Sequence, residues 1–305
     1  VTAQPANLAA SVHQRLLNYA KAQEVDFNLL LARFAIERFL YRLAASPFNE
    51  RFVLKGAMLL QMWLPEIGRP TRDLDLLGFG DLSSDHLRQV LAAICVQPAP
   101  DDGVHFLPDS VMVQTIREQD EYGGQRATLG GYLGQARLHV QIDVGIGDRL
   151  TPPAEWIEYP VLLDFPRPRL RAYRPETTIA EKLHAMVVLD LQNSRMKDFF
   201  DLFRLAQTHS FTGDSLVAAV TSTFSQRQTP IPQIPTAFTA DFALHPAKAR
   251  QWNAFCRRIG LAPEDMSLAA AVELIAQFLQ PVIDAARSGS ALPLVWSAGG
   301  SWTRT

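Results

Sequence analysis

"VLKGAMLLQMWLPEIGRPTRDLDLLGFG" runs from Val53 to Gly80 and decides how this chain is read. "AMLLQMWL" reads as a helix entered from Lys55-Gly56, "IGRPTR" as a loop, and "DLDLLGF" as a strand ended by Gly78 and Gly80. In a strand, alternate side chains share a face, so Leu74 and Leu76 turn toward a core while Asp73 and Asp75 turn away together. Carboxylates among leucines are costly unless they are paired or bind metal. Two residues along a strand span about 6.6 Å, close enough for both aspartates to serve one metal site.

A third acid stands in "RLHVQIDV". Leu138, Val140, Ile142 and Val144 form one face, and Arg137, His139, Gln141 and Asp143 the other. If this strand lies beside the Asp73 strand, three carboxylates meet at one sheet end. Oxygen ligands at that density suit Mg²⁺, which also binds substrate phosphates. Two-metal sites hold their ions about 3.5–4 Å apart and clamp the attacking and leaving oxygens of a phosphoryl displacement. Lys55-Gly56-Ala57 opens a helix, whose free N–H groups and positive dipole end suit an anion, and Gly56 lets the backbone approach closely. A phosphate cradle, a loop and a metal-binding pair in that order is the logic of nucleotidyl transfer. Each piece alone is weak: a lone Asp-x-Asp is common, and a polar-face histidine such as His139 is more often a bystander.

The remaining chain frames these motifs. Residues 8–45 read as two packing helices stopped by Pro47. "SSDHLRQVLAAIC" reads as a helix with a serine cap. "VHFL", "SVMVQTI", "QRATLGGYL" and "ARLHVQIDVGIG" read as strands, the last two as an antiparallel pair. Residues 151–176 read as a proline-punctuated connector with a basic bias from Arg167, Arg169, Arg171 and Arg174. Helices follow over roughly 178–191, 195–208, 213–224, 246–259 and 267–287, and the Gly/Ser-rich tail from Ser288 reads as mobile. Thr178 and Glu181 suggest a capping box. Lys182 sits at the edge of the Ile179, Leu183, Met186 and Val187 stripe, where a snorkelling surface lysine is the ordinary reading. Asp198 and Asp201 lie one turn apart beside Arg195 and Lys197, as in an exposed helix start. His184 reads as a solvent-facing or packing residue.

"FVLKGAMLLQMW…RPTRDLDLL" resembles the nucleotidyltransferase toxins of the AbiEii/AbiGii family, a branch of the DNA-polymerase-β-like superfamily. "QIDVGIGD" is similar to that family's third-carboxylate strand, "TTIAEKLHAM" to its lysine-bearing helix, and "SRMKDFFDL" to its Arg-x-Lys-Asp-x-x-Asp segment. The similarity covers about residues 50–205, and the rest fits more loosely. It departs at Ala57, where the family has Gly or Ser; alanine keeps the backbone N–H but loses a hydroxyl contact to phosphate. The resemblance implies an α+β fold: a small mixed β-sheet nucleotidyltransferase core flanked by helices (1–165), a mainly helical C-terminal lobe completing the active site (166–290), and a flexible tail (291–305). It implies Asp73, Asp75 and Asp143 as ligands of one or two Mg²⁺ ions, and Lys55, Gly56, Ala57, Arg72 and Lys182 as phosphate-binding groups. It implies Asp198 as the partner that orients Lys182 or the base-side groups, and lends less to Asp201.

The expected activity is Mg²⁺-dependent transfer of a nucleoside monophosphate from a nucleoside triphosphate to an acceptor hydroxyl. The resemblance implies a toxin of a toxin–antitoxin or phage-defence pair, with the tRNA 3′ end as acceptor and a cognate antitoxin encoded nearby. Arg69, Arg167, Arg169 and Arg171 are the candidate RNA contacts, because a formal net charge of −2 leaves nucleic-acid binding to local patches. Nucleotidylation of a small molecule or a protein, and a degenerate binding module, are the competing readings. Cys95 and Cys256 fit no zinc or redox motif and suggest reduced thiols in the cytoplasm. No signal peptide or run of about 18 apolar residues is seen, so no membrane partner is expected.

Overall fold

The structure is a computed structural model that describes residues 7–65, 71–116, 124–147, 150–262 and 266–304. These form two compact units. The first holds residues 7–65, 71–116, 124–147 and 155–173, and the second holds 150–154, 174–262 and 266–304.

The first unit begins with α1 (Leu8–Ala22) and α2 (Phe27–Ala45). Asn7 Oδ1 accepts from the Ala10 N–H and Asp26 Oδ1 from the Leu29 N–H, so each helix starts on a side-chain cap. Then come β1 (Phe52–Lys55), α3 (Ala57–Trp63), β2 (Asp73–Gly78), α4 (Ser84–Cys95), β3 (Val104–Ile116), β4 (Gly124–Leu133), β5 (Ala136–Ile146), β6 (Glu155–Glu158) and β7 (Arg169–Ala172). The seven strands make one mixed sheet in the order β3-β4-β5-β2-β1-β7-β6. The β2–β5 and β1–β7 pairs are parallel, and the others antiparallel. Leu54, Leu74, Leu76, Ala127, Leu129, Val140, Ile142 and Val144 are all buried. They are the apolar half of each strand's alternation, and α2 packs on β5 and α4 on β3. Arg42 joins α2 to the start of β3, donating to both carboxylate oxygens of buried Asp102 at 2.8 and 3.1 Å and to the Val104 carbonyl.

Three local expectations are corrected here. "VHFL" and "SVMVQTI" are one strand, irregular between Leu107 and Met112. Pro108 offers no N–H there, and Ser110 Oγ fills in, donating to Leu107 O and accepting from the Gly130 N–H. Ser83 precedes α4 but makes no side-chain cap. The proline-punctuated connector contains β6 and β7, which extend the sheet. Ala172 pairs with Leu54, and the Tyr173 N–H donates to Leu54 O at 2.9 Å. The division therefore falls after Tyr173, not at 165.

The second unit is mainly helical: α5 (Pro175–Leu189), α6 (Met196–Thr208), β8 (Phe211–Thr212), α7 (Gly213–Gln226), α8 (Ala240–Ala243), α9 (Pro246–Arg258), α10 (Leu268–Ser288), β9 (Leu294–Ser297) and β10 (Ser301–Arg304). α5 starts on Pro175, so Thr178 lies inside the helix and caps nothing. α10 is long and apolar enough to cross a membrane, but Ile275, Phe278, Leu279, Val282 and Ile283 are fully buried against the rest of the unit. It starts on Ser267 and stops at left-handed Gly289.

The expected flexible tail is instead a hairpin. β9 pairs with β10 and with β8. Trp296 is buried, its ring centroid 4.9 Å from that of Phe278, and its Nε1 donates to Ala206 O at 2.7 Å. Trp302 Nε1 donates to Phe278 O. Burying the Trp296 indole and partly covering that of Trp302 outweighs the freedom of the flanking glycines and serines. Trp296→Ala should therefore lower stability by about 3–5 kcal/mol in urea unfolding; a hairpin that contributed nothing would leave the midpoint unmoved.

Candidate active site

The strand register lines up a row of charges. Lys55 on β1 pairs with Asp75 on β2, Asp75 with Asp143 on β5, Asp143 with Arg126 on β4, and Arg126 with Gln114 on β3. Directly paired residues share a sheet face, so cation, anion, anion and cation stand side by side. Asp73 stands two residues along β2 on the same face and is exposed, whereas Asp75 and Asp143 are partly buried. The sequence-predicted carboxylates thus come together on one face through the parallel β2–β5 pairing. Thr71 Oγ1 bridges the Asp73 N–H and C=O and pins the start of β2.

Gly56 explains how Asp75 finds room. Its φ is +73°, which side chains rarely adopt. A Cβ there would overlap Asp75 Oδ2 and lie 2.6 Å from its Cγ. Gly56 therefore serves the carboxylate as well as the turn into α3, a function the sequence reading did not assign. Lys55 Nζ lies 5.2 Å from the ring centroid of buried Tyr173, a cation–π contact. Ala57 is the first residue of α3, and Arg72 is exposed just before β2.

Arg126 is the functional candidate that sequence reasoning missed. Its Nε donates to Asp143 Oδ1 and its Nη2 to Asp143 Oδ2, both at 2.7 Å. This bond, with the fields of Asp143, Asp73 and Asp75, raises the guanidinium above the ordinary arginine value despite some desolvation. The signal was available: the β4–β5 turn pairs Leu133 with Ala136 around Gly134-Gln135, and counting back along both strands sets Arg126 opposite Asp143. Among the described residues, no three His, Cys, Asp or Glu groups converge on a point that a metal ion could share. His139 is exposed, opposite Gly130 and outside the row.

The second unit has its own charge cluster. Lys182 Nζ donates to Asp198 Oδ1 at 2.6 Å and to Asp201 Oδ2 at 2.8 Å, and both carboxylates are buried. Arg195 Nε stands 2.8 Å from Asp198 Oδ2, close enough to pair but without a hydrogen bond's alignment. Burial disfavours the charges of Lys182 and Asp198, but the attractions win. Asp198 and Asp201 raise the Lys182 ammonium above its ordinary value. Against the same burial penalty, Lys182 and then Arg195 hold the Asp198 carboxyl below its own. Lys182 is thus a clamped ammonium rather than a snorkelling surface group. His184 is buried. Its Nδ1 accepts from Arg227 Nη1, which can only donate, so its Nε2–H donates to Thr229 Oγ1.

Three of the candidate RNA contacts lie on β7 or just before it. Arg167 and Arg169 line a cleft of about 530 Å³ with Tyr41, Asn49 and Trp156. Arg169 lies over the Trp156 ring, and Arg171 donates to Glu50 O at 3.0 Å. Arg69 lies outside the described residues.

A family model for the nucleotidyl transferase AbiEii toxin of type IV toxin–antitoxin systems matches residues 38–280. Among solved structures, JHP933 from Helicobacter pylori is 16% identical with a TM-score of 0.47, covering 83% of this chain and 92% of its own. A second H. pylori protein, described as a candidate nucleotidyltransferase, is 15% identical with a TM-score of 0.47, covering 87% and 97%. No curated protein matches the chain.

Two outcomes follow from this geometry. Gly56→Ala forces both a strained φ and an overlap with Asp75, and should cost about 1–3 kcal/mol in urea unfolding. The Asp198 pKa, depressed on folding, stabilises the protein above the unfolded value near about 3.9 and ceases to do so as pH falls through the folded value. The raised Lys182 pKa contributes at all lower pH and is lost only in strong alkali. Asp198→Asn should therefore cost about 3–5 kcal/mol at neutral pH and flatten the acid limb of stability below about pH 4; an acid limb as steep as that of the wild type would refute the assignment.

Proposed function

Because the chain belongs to the AbiEii family of nucleotidyltransferase toxins of type IV toxin–antitoxin systems, we propose that it transfers a nucleoside monophosphate from a nucleoside triphosphate to the 3′ end of tRNA in a Mg²⁺-dependent reaction. The observation that carries this is the charge row Lys55–Asp75–Asp143–Arg126, with Asp73 on the same face. Its donor set is all oxygen, which fits Mg²⁺, and the Gly56 backbone leaves the Asp75 carboxylate unobstructed. Asp73 and Asp75 would hold the metal, joined by Asp143. When bound, the metal supplies positive charge that stabilises the phosphoryl group under attack.

The chain's own groups do the rest. Lys55 and the backbone of Gly56 and Ala57 meet triphosphate oxygens, and Arg72 is a further cation for phosphate. Asp143 accepts the proton of the attacking hydroxyl, and pyrophosphate leaves. Transfer to a 3′ end needs RNA held outside the chemistry. Arg167 and Arg169 beside Trp156 and Tyr41 support that reading, because RNA is bound by phosphate contacts and by stacking on aromatic rings. Buried, unpaired Cys95 and Cys256 suit the reducing cytoplasm, where such a toxin would meet tRNA and its antitoxin.

The test is incubation of the purified chain, Mg²⁺ and total tRNA with each α-³²P-labelled nucleoside triphosphate in turn. Label should enter tRNA from one nucleotide, and Asp73→Asn and Asp75→Asn should each reduce it at least about a hundredfold. Label on a protein or small molecule would discard the tRNA acceptor, and undiminished labelling by Asp73→Asn would discard the mechanism. Trp156→Ala should raise the KM for tRNA with little change in kcat at saturating tRNA.

A further inference from the structure

The ion pair between Arg126 and Asp143 conflicts with a ready-made three-carboxylate metal site. Both Asp143 oxygens are engaged by one planar guanidinium at 2.7 Å, the bidentate geometry in which arginine holds carboxylates most firmly. A divalent cation approaching those oxygens meets a fixed positive charge. Among the described residues no three-ligand cluster forms, although Asp75 and Asp143 are directly paired on neighbouring strands. Arg126 is not locked in the core: its side chain keeps 36% of its exposure, against 23% for Asp143. The same fork that fits a carboxylate fits phosphate oxygens.

We propose that Arg126 is a positioning residue that latches Asp143. It occupies the carboxylate while the site is empty, then exchanges it for phosphate oxygens when a metal-bound nucleoside triphosphate arrives. One bidentate charged pair replaces another, so the exchange costs little, and Asp143 is freed for the metal only when the nucleotide is present. Metal alone therefore binds weakly, and triphosphate and metal strengthen each other's binding by the same factor. The latch rests on the proposed metal site and adds an order of assembly to it.

The experiment titrates the full chain with Mn²⁺, reading free ion by electron paramagnetic resonance, with and without α,β-methylene analogues of the four ribonucleoside triphosphates. Arg126→Gln should bind Mn²⁺ alone about tenfold tighter than wild type, the scale of releasing a hydrogen-bonded charge. It should also lose the strengthening of metal binding by the analogue. The gain should vanish in Arg126→Gln/Asp143→Asn. Arg126→Lys, which keeps the charge but makes a single-point contact, should fall between and serves if the glutamine variant does not fold. A folded Arg126→Gln or Arg126→Lys protein that binds Mn²⁺ no tighter than wild type overturns the latch, as does a gain that survives loss of the Asp143 carboxylate. Failure of the metal site itself reads differently: Asp73→Asn would then leave wild-type Mn²⁺ binding unchanged, with analogue or without.

Discussion

The parallel pairing of β2 with β5 sets Asp75 directly beside Asp143, and much of the first unit is arranged around that pair. Two like charges at paired positions repel each other. Their cost is offset by what stands outside them: Lys55 one strand beyond Asp75, and Arg126 one strand beyond Asp143. The four residues come from four strands. None could be moved by a single position without turning its side chain into the apolar face. The buried leucines, isoleucine and valines behind the row thus set the register in front of it.

Glycine completes this arrangement from the other side. Gly56 joins β1 to α3 at a left-handed φ, and its missing side chain is the space that Asp75 fills. The absent Cβ gives the carboxylate its room, and the proposed approach of phosphate would use the same space. The second unit solves a similar problem by different means. There Lys182 is buried with two carboxylates, and attraction to them favours its ammonium, as Lys182 and Arg195 favour the Asp198 carboxylate, against the cost of burial.

Legibility followed the length scale of the signal. The alternation in "RLHVQIDV" and the Asp-x-Asp strand were readable because a strand's period of two is local. The long helices were readable because apolar residues recur within a turn or two. The strands β6 and β7 were hidden because prolines dominate a segment whose pairing partner, β1, lies more than a hundred residues earlier. The C-terminal hairpin was hidden because its Gly and Ser content suggested mobility, while the burial of Trp296 depends on Phe278 and Ala206. Arg126 lay between these cases: the hairpin register that places it is local, but its significance needs Asp143 to be recognised first.

By itself the sequence determined the residue types and their faces: acids opposite leucines on β2, an acid opposite valines on β5, a glycine after Lys55, and a family pattern that joins them. These follow from spacing along one chain segment. Only the tertiary structure decided which carboxylate met which cation. It set Asp143 beside Asp75 but bound it to Arg126, and it gave Lys182 both Asp198 and Asp201. Charge pairing depends on distances between separate strands or helices, some neighbours in sequence like β4 and β5 and some distant like β2 and β5, and the packing of the apolar core sets those distances.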